Sequence, residues 1–190
     1  YPVIFVGTGR YLGTPDLTDK SKQTFYAVKD ALDSASLANP RATGSNFVEQ
    51  TLTAVPCPAA AVSAGRCSSG ETVRTVSSNA VNFASNNGWY IDLPDGGERS
   101  NVDPSLALGT LSFNTNVPNA SVCTAGGYSY SNFVDYRTGS AVSTAVGVVS
   151  RRLGNALATR GVFVRLPNNT VVQLTRLSDG TTVTSPVPIG

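Results

Sequence analysis

Histidine and methionine are absent from this 190-residue chain, tryptophan occurs once and cysteine three times. Without imidazole there is no Ser-His-Asp hydrolysis, no Cys-His proteolysis and no His-bound zinc. The lack of any Met, an initiator included, implies a processed chain or a piece of a longer one. Charge is scarce too: Asp, Glu, Lys and Arg make up 14% of the residues, against about 25% in an ordinary soluble domain. Solubility must therefore come from uncharged polar groups, and 21 Ser, 20 Thr and 14 Asn supply them. No run of about 18 apolar residues occurs, so no membrane-spanning helix is expected, and no basic segment leading into an apolar one opens the chain.

What is present points to strands. Val outnumbers Leu by 23 to 14 and Arg outnumbers Lys by 11 to 3, and β-branched residues favour strands over helices. The fold class expected is all-β. Val3, Ile4, Phe5 and Val6 read as a buried strand running into a turn at Gly7-Thr8-Gly9. Those two glycines are half of a dinucleotide fingerprint, but no third glycine and no helical pattern follow, so a Rossmann site is not supported. Residues 23–30 alternate, with Thr24, Tyr26 and Val28 on one face and Phe25, Ala27 and Lys29 on the other, as a strand antiparallel to the first. Residues 29–38 read as a loop with a turn of helix at most. Residues 47–55 and 71–83 alternate again, and residues 88–94 form an aromatic strand cut off by the turn signal Pro94-Asp95-Gly96-Gly97. Further strands are expected over 106–113 and 128–136. A three-strand meander follows over 162–166, 172–174 and 181–183, turning at Pro167-Asn168-Asn169-Thr170 and Ser178-Asp179-Gly180. Short strands at such spacing mean a sandwich, a barrel or propeller blades.

Cys57 and Cys67 bracket a small-residue stretch with little to bury, which reads as a surface loop. A disulfide there would tie the loop and imply an oxidising compartment; two unpaired buried thiols are the alternative. The lack of His and of a second close Cys pair counts against a metal. Cys123 is left over, either buried as a small hydrophobe or paired outside this chain.

The net charge of +2 conceals an asymmetry: from Tyr136 onward there are six arginines (Arg137, Arg151, Arg152, Arg160, Arg165 and Arg176) and one acid, Asp179. An anionic partner at this end is one reading. The other is that these arginines solvate an outer face, since no aromatic residues interleave them for base stacking; no nucleic-acid partner is expected.

Two stretches carry a family pattern. One is Val3-Ile4-Phe5-Val6-Gly7-Thr8-Gly9-Arg10-Tyr11-Leu12-Gly13 with Asp16-Leu17 and residues 23–30. The other runs from Gly88-Trp89-Tyr90-Ile91-Asp92-Leu93-Pro94 through Gly97-Glu98-Arg99, Asn101-Val102-Asp103-Pro104 and Leu108-Gly109-Thr110-Leu111 to Asp135-Tyr136-Arg137-Thr138-Gly139. Both resemble the C-terminal β-propeller domain of PilY1-type proteins, the tip-associated adhesins and assembly factors of bacterial type IV pili. The resemblance covers roughly residues 1–140. It implies that residues 1–190 are the C-terminal part of such a propeller, about three to four blades of a larger ring, since a four-stranded blade takes about 40 to 45 residues. It implies a site at the bacterial surface, reached by export, with minor pilins and a host or surface receptor as partners. Open sheet edges must be paired or covered, so the segment is expected to dock against the remainder of the propeller or another subunit.

In these motifs the residues do structural work. Asp135 would bond the amides of its own turn while Gly139 takes a positive φ, and Trp89 and Tyr90 would pack between blades, with a binding role for exposed aromatics as the alternative. No binding residue is assigned. Similar propellers carry a calcium loop of the Asp-x-Asp-x-Asp type upstream of the first strand, and no Asp-x-Asp spacing occurs here. Asp16 with Asp19, Asp30 with Asp33 and Asp92 with Asp95 are too sparse for the six to eight oxygens that calcium takes. No cofactor is expected in this segment; calcium belongs to the upstream part. The leading expectation is a scaffold without catalytic residues. A propeller enzyme, a quinoprotein dehydrogenase or a glycosidase, is the alternative; a glycosidase would need two carboxylates facing one substrate, with Asp92, Asp103 and Asp135 as the candidates. An anion-binding module at the arginine-rich end is a third reading.

Overall fold

The computed structural model describes residues 1–33, 37, 39–119 and 126–189. Cys123, and part of the stretch expected to be a loop before Asn39, lie outside the described residues. The chain is all-β, and its described residues form three open, blade-like sheets that fit a propeller segment. The first sheet has the order β1-β2-β6-β3, from Val3–Gly7, Thr24–Lys29, Gly88–Asp92 and Phe47–Gln50. The second has the order β4-β5-β10-β9-β8-β7, from Leu52–Pro56, Thr72–Val76, Val148–Gly154, Gly127–Asp135, Thr110–Pro118 and Ser105–Ala107. The third is the meander β11-β12-β13, Val162–Arg165, Val171–Arg176 and Thr182–Pro186, as the turn chemistry implies.

The strand β2 is antiparallel to β1, as expected, and of its two faces it buries the one that carries Phe25 and Ala27. Opposite them in the second sheet stand Leu111, Phe113 and Val134, and together with Trp89, Ile91 and Leu52 they form the main core. The rings of Phe25 and Phe113 stack with centroids 3.9 Å apart. Each such side chain contributes about 1.5–3 kcal/mol on full burial. Trp89 packs in this core and donates from Nε1 to the Tyr136 carbonyl at 3.3 Å. Tyr90 points to the other face of the first sheet, where it lies under Arg41.

Four expectations need correction. Residues 106–113 are not one strand but the hairpin β7–β8, turning on Leu108 and Gly109 at φ 50° and 79°. Two left-handed residues close a tight hairpin, but leucine is a poor signal for that geometry. Residues 47–55 change sheets at Thr51, so that β3 runs parallel to β6 while β4 pairs with β5. The strand beginning at Thr72 stops at Val76. The cysteine stretch is not a bare loop: Ala59–Ser63 form a short helix, α1, and Ala61 and Cys67 pack on Val73 and Val148. The disulfide Cys57–Cys67 is formed, with its Cα atoms 6.1 Å apart. The strand β10 was not read from the sequence at all, because a bulge between Val148 and Ser150 breaks its alternation.

The second sheet is covered on both sides, and every residue of β8 is buried. Leu111 and Phe113 face the first sheet, while Ser112 and Asn114 meet Gln173 and Thr175 of the third. Phe133, Val171 and Val187 add a small apolar contact on that side.

Candidate functional site

The densest group of charged and aromatic side chains lies on the face of the second sheet toward the first, beside the main core. Its centre is Arg74 in β5, a residue flanked by valine and threonine and buried to 3% exposure. Its Nη1 donates to Glu98 Oε1 at 2.8 Å, its Nη2 stands 2.9 Å from Asp95 Oδ1, and its guanidinium lies 3.6 Å from the centroid of the Tyr130 ring. Glu98, wholly buried, also accepts from the Thr115 hydroxyl at 2.5 Å and from the backbone amide of Asp95 at 3.2 Å. The tyrosine hydroxyls of Tyr128 and Tyr130 both donate to Asp95 Oδ2 at 3.0 Å. Arg152 on β10 lies over Tyr128 at 4.2 Å. Arg74, Asp95, Tyr130 and Arg152, with Ala54 and Thr72, line an open pocket at the rim of this network.

Burial opposes the charge on Arg74, but the Glu98 carboxylate outweighs it and holds the guanidinium above its ordinary range. Burial, reinforced by the Asp95 carboxylate, pushes the Tyr128 phenol up to about 12, and burial moves Tyr130 in the same direction. A tyrosine that donates to a carboxylate resists losing its proton.

The turn expected at Pro94-Asp95-Gly96-Gly97 supplies this geometry. The Glu98 amide donates to the Asp95 carbonyl, turning the chain so that the buried Glu98 side chain meets Arg74. Arg99, the next residue, points away and donates to three backbone carbonyls, those of Gly97, Arg10 and Asp19, at 2.6–2.9 Å. It is 2% exposed and clamps the segment after β1. Gly7 and Gly9 lie against Ser100 and Arg99, where a side chain would overlap them, so the Gly-x-Gly pair serves a close approach of two backbones and not a phosphate. In the sequence, Glu98, Arg99 and Tyr128 stand in motif-bearing stretches without an assigned role, and Arg74 and Tyr130 carry no motif of their own. The available signal was Arg74 itself, a charge inside an apolar strand of a chain with few charges.

The carboxylates considered for catalysis stand apart. Asp92 pairs with Arg41 and accepts from Thr24 at 2.8 Å. Burial raises its pKa, but the Arg41 and Thr24 hydrogen bonds prevail and hold it below the usual carboxylate range. Asp135 accepts from the Arg137 amide at 2.8 Å and Gly139 sits at φ 70°, as expected for this turn. Asp103 lies with Phe5, Gly7 and Ser100 along a shallow groove at the far end of β1. Asp16 caps the Leu12 and Gly13 amides, and Asp19 and Asp30 cap those of Ser21 and Leu32. No group of three or more potential metal-ligating side chains occurs among the described residues.

Four of the six C-terminal arginines are engaged by neighbouring side chains. Arg137 pairs with Asp135 and Arg151 with Glu71, Arg152 donates to Asn155, and Arg176 to Thr182. No helix among the described residues is long and apolar enough to cross a membrane.

Open, blade-like sheets joined by buried polar networks define the class as an all-β propeller segment. Within that class the chain is similar to proteins named type IV pilus biogenesis factor PilY1. It is 29% identical over 155 residues to the type IV pilus biogenesis factor PilY1 homolog of Xylella fastidiosa, covering 78% of this chain and 10% of the relative. It is 30% identical over 166 residues to the type IV pilus biogenesis factor PilY1 of Pseudomonas aeruginosa, covering 80% of this chain and 14% of the relative. The chain thus spans about a tenth to a seventh of the length of the curated relatives it matches. No family model and no solved structure matches it.

Proposed function

We propose that this segment contributes to type IV pilus biogenesis as a non-catalytic structural and binding part of a PilY1-like protein, with a role in tip-associated adhesion at the bacterial surface. The observation that carries this reading is the match to relatives named as pilus biogenesis factors over about four fifths of the chain. The chemistry supports it. Glu98 and Asp95 are engaged by Arg74, Thr115 and two tyrosines, and Asp92 by Arg41, so these acids are held as acceptors and not poised for proton transfer. The disulfide supports an exported location.

The segment acts through contacts and without a bound cofactor of its own, any calcium belonging to the upstream part of the protein. Its partners are the remainder of the propeller or another subunit, the minor pilins of the pilus tip, and a surface receptor. The outer face of the first sheet, where Ile4 and Val6 are 55% and 45% exposed, is suited to cover by a neighbouring sheet.

The test replaces Asp92, Asp103 and Asp135 singly with Asn in the full-length protein and counts surface pili, adhesion and hydrolysis of glycosidic substrates. No hydrolysis is expected from the parent or from any variant, and deletion of the segment should reduce piliation. Hydrolysis by the parent that one variant abolishes with pili intact would replace this reading with the enzyme.

A further inference from the structure

Three buried polar atoms beside the Arg74 network have no hydrogen-bond partner in the protein: Arg74 Nη2, Ser150 Oγ and Asn132 Oδ1. Their residues are 3%, 1% and 1% exposed. Buried donors and acceptors left unpaired cost about 1–3 kcal/mol each, so three in one region call for an explanation.

They are neighbours. Ser150 on β10 pairs with Arg74 on β5 and with Asn132 on β9, so the three side chains form one row across adjacent strands on the same face. Directly opposed residues of antiparallel strands stand about 4.5–5.5 Å apart. The Arg74 side chain starts on β5 opposite Ser150 and runs across β10 to end over Tyr130 of β9, two residues along from Asn132, and beside Glu98, which is bonded to Thr115 of β8. The Asn132 amide nitrogen is already spent on the Phe113 carbonyl and the Thr115 hydroxyl, which fixes Oδ1 as the free acceptor. Nη2 meets the Asp95 carboxylate at 2.9 Å without hydrogen-bond alignment. The bulge between Val148 and Ser150 lies at this point, where an extra residue bends β10 and opens the ladder.

We infer that Arg74, Ser150 and Asn132 form the binding site of a single internal water molecule, sealed between the guanidinium and the second sheet. The water accepts from Arg74 Nη2, donates to Asn132 Oδ1 and exchanges a hydrogen bond with Ser150 Oγ, the three bonds typical of buried water. An anion is disfavoured here by Asp95 and Glu98 on the far side of the same guanidinium. The water belongs to the structure: it completes the bonding of Arg74 and so fixes the floor of the pocket that Arg74, Asp95, Tyr130 and Arg152 line.

The test is a crystal structure of the full-length protein at a resolution that shows ordered solvent, with Ser150→Ala and Ser150→Val beside the parent. The parent should show one peak within hydrogen-bond reach of all three atoms. Ser150→Ala should keep the peak on Arg74 and Asn132, and Ser150→Val, whose methyl groups fill the space, should lose it. Absence of a peak in the parent, with Ser150 and Asn132 turned to protein partners, overturns the inference. An anomalous signal at the site after a bromide soak also overturns it, in favour of an anion.

Discussion

Replacing Arg74 with Met tests whether the buried network holds the second sheet together. Met preserves much of the stem but removes the charge, leaving Glu98 at 0% side-chain exposure with only the Thr115 hydroxyl and the Asp95 amide. Breaking a buried ion pair on one side costs about 3–5 kcal/mol, because the remaining charge is stranded in a medium that solvates it poorly. In the intact polypeptide this should appear as faster amide hydrogen exchange in β5, β9 and β8. At 1.4 kcal/mol per factor of ten, protection should fall by roughly two to three and a half powers of ten. Adding Glu98→Gln removes the stranded charge while its carbonyl still accepts from Thr115, so part of the loss should return, with a coupling of about 2–3 kcal/mol. Arg10→Gln serves as the control. The Arg10 side chain is 75% exposed in its pair with Asp16, and an exposed pair contributes about 0–1 kcal/mol. If Arg74→Met costs no more than the control, or if Glu98→Gln recovers nothing, the account of the pair as a buried, mutually dependent unit is wrong.

Three further outcomes are expected. Opening the Cys57–Cys67 bridge by paired Ser substitutions should destabilise by about 3 kcal/mol, the chain-entropy value for a loop of this length; labelling of all three cysteines by a thiol reagent without prior reduction would refute the bridge. Glu71 and Asp92 are held below the usual carboxylate range when folded. For Glu71, burial pushes the other way but Arg151 prevails; for Asp92, burial is likewise outweighed by Arg41. Their contribution is complete above the unfolded values of about 4 and is lost as the pH falls through the folded ones, so the midpoint of thermal unfolding should drop on acidification below that point and drop less in Glu71→Gln. Tyr128 has the opposite sign, its folded value lying at about 12. Its contribution holds below the unfolded value of about 10 and is lost as the pH rises from there, and ultraviolet titration should show a late-ionising phenol that Tyr128→Phe removes.

The strands with a regular period were legible in the sequence because alternation separates the two faces of a strand. Phe25 and Ala27 in β2, the aromatic β6 and the terminal meander are of this kind. The turn at Asp135 to Gly139 was legible because its bonds are local. What escaped depends on relations that a linear pattern does not carry. The bulge in β10 destroyed its period. The change of sheet at Thr51 leaves alternation intact, so the sequence shows one strand where the fold has two. Arg74 and Glu98 are 24 positions apart and meet because the turn after β6 brings Glu98 over β5. Their pairing is set by which sheet packs on which.

The composition needs a second interpretation for the same reason. Abundant Ser, Thr and Asn in a chain with few charges suggest a polar exterior, yet much of this material lies inside. Along β8, Thr110, Ser112, Asn114 and Asn116 are all buried on the side that meets the third sheet and its flanking segments. Ser112 bonds Gln173, Gln173 bonds Asn114 and Thr175, Asn116 bonds the backbone of Ala158 in both directions, and Thr110 bonds the Pro188 carbonyl. An apolar interface tolerates sliding because dispersion has no direction, whereas these bonds are satisfied in one register only, and a slip would strand several buried groups at once. The two faces of the second sheet therefore do different work. The apolar face toward Phe25 and Trp89 supplies most of the driving force of burial, and the polar face fixes where the third sheet sits. Uncharged polar residues are suited to that second task, since they are directional like charged ones but carry a far smaller desolvation cost.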